Sequence, residues 1–151
     1  MNPILDGVMG LPMHPLVVHA VVVLVPLSAL ALVLGTLVPA ARRRLGAVTP
    51  LLALLVMLLV PVTIASGEVL LGMVGPTPRV LEHARLARML PPWTIAMAVV
   101  AAAQWAWYRW REEPGRLVPR LLGATAVVAA VGATTLVVMI GEAGARSVWG
   151  G

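Results

Sequence analysis

The sequence predicts an all-α integral membrane protein: a single-domain four-helix bundle over residues 1–151, both termini outside, with a short amphipathic helix between spans two and three. Three observations point there. First, 60 % of the residues are hydrophobic and 11 % are charged, against roughly 25 % charged in an ordinary soluble domain. With a mean hydropathy of +0.98, the chain has too few charges to cover itself in water, so the lipid bilayer is its solvent. Second, four apolar runs each approach the roughly 20 helical residues that cross about 30 Å of hydrocarbon. Third, arginine is distributed unevenly between alternate loops, which orients those runs.

Span one covers about residues 16–40 without a charge, and Pro15 stands where the first residue of a helix tolerates a missing N–H. The segment before it, Met1–Pro12, carries Asp6 and no basic residue, unlike the start of a cleavable signal peptide, so span one is expected to be retained. Span two covers about 45–66. Pro26 and Pro61 fall inside these two spans and each removes a backbone hydrogen bond. About 79–90 reads as the amphipathic surface helix: Glu82, Arg85 and Arg88 share one arc, while Val80, His83, Ala84, Ala87 and Leu90 share the other. Span three, about 92–108, is the shortest and ends at Arg109, which can snorkel. Span four covers about 121–140, where Ala126 with Ala130 and Ala129 with Ala133 are small residues four apart, suited to close helix contact.

The loops after spans one and three carry seven Arg against two Glu, a net +5 that includes Arg42, Arg43 and Arg44. The opposite side balances four Arg against Asp6, Glu68, Glu82 and Glu142. The excess marks the cytoplasmic face, so the expected location is the bacterial cytoplasmic membrane, multi-pass, with N- and C-termini on the outer side. Trp105, Trp107, Tyr108 and Trp110 form the expected inner aromatic belt, with Trp93 and Trp149 on the outer side. All eleven basic residues are Arg, and most flank apolar runs. Topology explains them without a nucleic-acid partner.

The chain's chemistry-bearing side chains gather at the outer end. His14 precedes span one, His19 lies just inside it, and His83 sits on the apolar side of the surface helix. Glu68 is expected to close span two and Glu142 to close span four. Imidazole nitrogens suit zinc, copper and iron, and carboxylates join a metal or orient a ligating histidine. His14, His19, His83, Glu68 and Glu142 are therefore the candidate ligands of a divalent metal ion. His83 with either His14 or His19 is the candidate pair for a haem b, which held by two histidines favours electron transfer. On a regular helix His14 and His19 point about 140° apart, so they ligate one ion together only if the helix starts irregularly around Pro15. A third alternative gives the histidines only capping and packing roles, in a structural or accessory subunit or a small homo-oligomer, with no cofactor.

Several chemistries are excluded. Without cysteine there are no disulfides, thiolate metal sites or cysteine-ligated iron–sulfur clusters. Asp6 is the only Asp, so no Ser–His–Asp set can be assembled; no catalytic residue is assigned, and the chain is not expected to be an enzyme on its own. The span centres lack charge, which disfavours a channel or transporter.

In Gly10-Leu11-Pro12-Met13-His14-Pro15-Leu16-Val17-Val18-His19, then Ser66-Gly67-Glu68, His83-Ala84 and Gly141-x-x-Gly144-Ala145-x-x-Val148-Trp149, the chain resembles a widespread bacterial membrane family, domain of unknown function 2231. The resemblance covers essentially the whole chain and implies four spans with outward-facing histidines. Some relatives are joined to a Rieske-type iron–sulfur domain, which implies a redox setting and, for this chain, a separate redox partner. Where the family commonly carries a histidine after the glycine, this chain has Glu142. The resemblance thereby marks Glu142 as the position that decides between haem, a hard metal and no cofactor.

Overall fold

The computed structural model describes residues 13–110 and 117–149, and within these the apolar runs, interrupted by proline and glycine, form six helices. Asp6, Glu112, Glu113 and Arg116 lie outside the described residues. The helices are α1 (Met13–Leu37), α2 (Pro39–Leu45), α3 (Val48–Val74), α4 (Pro78–Ala87), α5 (Pro91–Trp110) and α6 (Leu117–Trp149). No strand occurs among the described residues, and the fold is all-α.

The helix ends follow local chemistry. Pro39 forces Val38 into extended backbone, φ −117° and ψ 104°, so α1 stops three residues before the apolar run does. By contrast α3 runs on through Ser66-Gly67-Glu68, because Val69, Leu70 and Leu71 keep it apolar, and ends only where Gly75 takes φ 84°. Thr77 starts α4 by accepting a hydrogen bond from the Val80 N–H, with Pro78 in the first helical position. The last helix extends to Trp149. Glu68 and Glu142 therefore sit within helices rather than closing them.

Four stretches are long and apolar enough to cross a membrane: Met13–Leu37, Val48–Val74, Pro78–Trp110 and Leu117–Ser147. Around the bundle α1 packs on α3 and α6, and α5 packs on the same two, which closes a ring of four; α4 rests mainly on α6. Val25, Leu32, Val56, Val60 and Met97 form a sealed centre. Leu16, Val23, Leu30, Leu51, Leu58, Val99, Val128, Val131 and Val138 face outward. In water such a band would drive aggregation; here it is the surface that lipid tails cover.

The small residues of α6 are used inside the chain. Ala126, Ala129, Ala130 and Ala133 are buried in the core cluster. Trp93 lays its ring on Gly132 so closely that an added Cβ would clash with the ring. At the arginine-rich end Gln104 donates to Thr36 Oγ1 and to the Leu122 carbonyl. Arg42 donates to the Gly35 and Thr36 carbonyls and stacks 3.6 Å from the Tyr108 ring centre, capping α1.

Candidate functional site

At the other end of the bundle, His14 and His83 meet. Their ring centres are 6.3 Å apart and their planes cross at 84°. His14 comes from the first turn of α1, and its Nδ1 lies 3.1 Å from the Thr63 carbonyl and 3.2 Å from Ser66 Oγ on α3. Ser66 is buried and its hydroxyl donates to the same Thr63 carbonyl. His83 comes from α4, and its Nδ1 lies 3.0 Å from the Ile140 carbonyl on α6. A carbonyl only accepts, so each Nδ1 carries the proton and each Nε2 keeps its lone pair when the ring is neutral. This is the orientation that a backbone carbonyl imposes on a ligating imidazole.

Two glycines make the approach possible. A Cβ on Gly67 would lie 2.8 Å from His14 Cε1, and one on Gly144 would lie 3.2 Å from His83 Cε1 and Nδ1. Each histidine thus rests on a glycine of a neighbouring helix. Glycine inside a helix costs roughly 0.5–1 kcal/mol relative to alanine, and at these two seats a histidine ring occupies the space that a Cβ would take.

The two histidines line a cavity of about 680 Å³ bounded by α1, α3, α4 and α6. That volume falls in the range of roughly 300–1,000 Å³ typical of small-molecule and cofactor sites. Its walls are mainly apolar: Val18, Val21, Val60, Ile64, Leu71 and Val137 among them. His19 also lines it, but stays exposed and turns Nδ1 back to the Pro15 carbonyl one turn earlier. Glu68 lies on the rim and pairs with Arg88 at 3.4 Å. Glu142 is exposed, pairs with Arg146, and does not line the cavity.

Of the five candidate ligands, the structure brings His14 and His83 together. His19 and Glu68 stand on the same cavity without joining them. No group of three or more His, Asp or Glu side chains arranged for a metal ion occurs among the described residues. Ser66, Gly67 and Gly144 were not among the candidate site residues. The signal for them was glycine in a helix interior, repeated on two apolar helices, in each case near an expected ligand.

No curated protein and no solved structure matches the chain. The family described as "Predicted membrane protein (DUF2231)" matches residues 10–151. That stretch takes in the His14 turn, the Ser66-Gly67 seat, His83 and the Gly144 seat, so the whole candidate site falls within it. The chain belongs to this family of membrane proteins.

Proposed function

We propose that the chain is a haem b protein of the bacterial cytoplasmic membrane, with His14 and His83 as the two axial ligands and electron transfer as its task. The observation that carries this reading is the 6.3 Å between the two ring centres. That spacing would leave room for an iron held by one nitrogen from each ring, given metal–imidazole bonds of about 2 Å. The apolar cavity that both rings line supports a macrocycle of matching character.

The donor count favours haem over a bare ion. A porphyrin supplies four ligands of its own, so two histidines complete the coordination. A zinc-like ion needs about four ligands from protein and water, whereas Glu68 is engaged with Arg88 and Glu142 with Arg146. When bound, the group supplies reversible one-electron transfer. The chain's residues orient and enclose it: the Thr63 and Ile140 carbonyls fix the orientation of the two rings. The apolar walls keep water out. The arginine imbalance supports a site near the outer face, and a redox partner would then be a separate protein or carrier reached from that side.

The test is a spectrum. Protein purified in mild detergent after haem-supplemented expression should show a sharp Soret band and split visible bands on reduction, with one iron per chain. His14→Ala and His83→Ala should each abolish this signature, and His19→Ala should keep it. Colourless protein, or loss only in His19→Ala, overturns the assignment.

A further inference from the structure

The mouth of the cavity carries one loose ion pair, and its position relative to the two histidines gives it a use. Among the described residues that line the cavity, Arg88 is the only arginine and Glu68 the only carboxylate. Glu68 directly follows Gly67, the seat of His14, and Arg88 lies five residues beyond His83. The pair joins α3 to the turn after α4 at the rim of the cavity.

This pair differs from the other acid–arginine pairs of the same end. Arg85 grips Glu82 with two nitrogens, at 2.8 and 2.9 Å, on the outward face of α4. Arg146 pairs with Glu142 four residues earlier on α6. Neither of those pairs lines the cavity. Arg88 holds Glu68 through a single contact at 3.4 Å, with both side chains more than half exposed. An exposed single-contact pair of this kind contributes little and exchanges easily.

We infer that Arg88 is the anchor for a carboxylate carried by the ligand of the His14–His83 site, and that Glu68 holds Arg88 in place until that carboxylate replaces it. The inference rests on the haem reading, since haem b bears two propionates. An anionic group entering an apolar cavity needs a cation at the point where it emerges. Arginine presents a planar fork that matches a carboxylate, and it remains charged at any working pH. Glu68 supplies the negative charge that keeps the guanidinium at the rim instead of free in the headgroup layer. The arrangement selects for a ring that carries acidic side groups on one edge, and it sets which edge faces the mouth.

Haem and haem dimethyl ester share one ring and differ in that charge. Apoprotein prepared from the full chain in detergent is titrated with each, following the Soret band, for the parent, Arg88→Gln and Glu68→Gln. The parent should bind haem about tenfold more tightly than the ester, the magnitude of one charge-assisted hydrogen bond. In Arg88→Gln the preference should vanish while ester binding persists, which also shows that the variant is folded. Glu68→Gln should bind haem at least as tightly as the parent. Equal binding of haem and ester by the parent, or a preference that survives Arg88→Gln, overturns the role of Arg88 and leaves the axial pair standing. Binding of neither porphyrin by any of the three removes the axial pair, and this inference with it.

Discussion

At the scale of single residues, the site depends on what is missing from two positions. Gly67 gives His14 its seat: a methyl group there would stand 2.8 Å from the ring, too close to be absorbed without moving it. Gly67→Ala should therefore displace His14 from Thr63 and Ser66 and lower haem retention, although alanine is the better helix former. Gly144→Ala, at 3.2 Å from His83, should do the same more mildly. Gly72→Ala on the same helix as Gly67 is the control, since nothing lies within 4 Å of it. Haem retained per chain after detergent washing measures the series, and equal retention in Gly67→Ala and Gly72→Ala would refute the seat. The candidate ligands themselves were legible, because histidine and glutamate are scarce here and gather at one end. Which histidine joins His83 was not. That choice is made by carbonyls and glycines contributed from other helices, and no periodicity along a single segment contains it.

At the scale of elements, the α6 stripe of small residues serves the bundle rather than an outside partner. Ala130 is 3 % exposed and belongs to the core cluster. Ala130→Leu should overpack that core and destabilise the fold by roughly 1–3 kcal/mol. The measurement is a denaturation midpoint in detergent; a variant as stable as the parent would mean that this face is not packed within the chain. The four spans were legible because hydrocarbon thickness demands long uncharged runs, and such runs are hard to mistake. Their ends were harder to read. Ser66-Gly67-Glu68 looks like a terminator on local propensity, yet α3 continues to Val74, since packing against neighbours overrides a short polar interruption. On α1 the reverse holds: Pro39 ends the helix inside a run that hydropathy alone would extend.

At the scale of the molecule, polarity is divided between the two ends of the bundle. One end carries Arg42 capping α1 beneath Tyr108 and the Thr36–Gln104 hydrogen bonds; the other carries the histidines and their cavity. On the arginine imbalance, the expectation is that the first end faces the cytoplasm. Because the chain contains no cysteine, single cysteines report this directly. Pro76→Cys, in the exposed turn before α4, should react with an impermeant maleimide in intact cells, and Ala47→Cys, exposed before α3, only after the membrane is opened. The opposite pattern would invert the orientation and move the site to the cytoplasmic side. The way the site is divided along the chain also bears on biogenesis. His14 emerges with the first span, but the carbonyl and glycine that hold its counterpart, Ile140 and Gly144, lie near the end of the last. The pair therefore closes only after the final helix has been inserted and docked. A chain stalled after three spans would lack the support that positions His83.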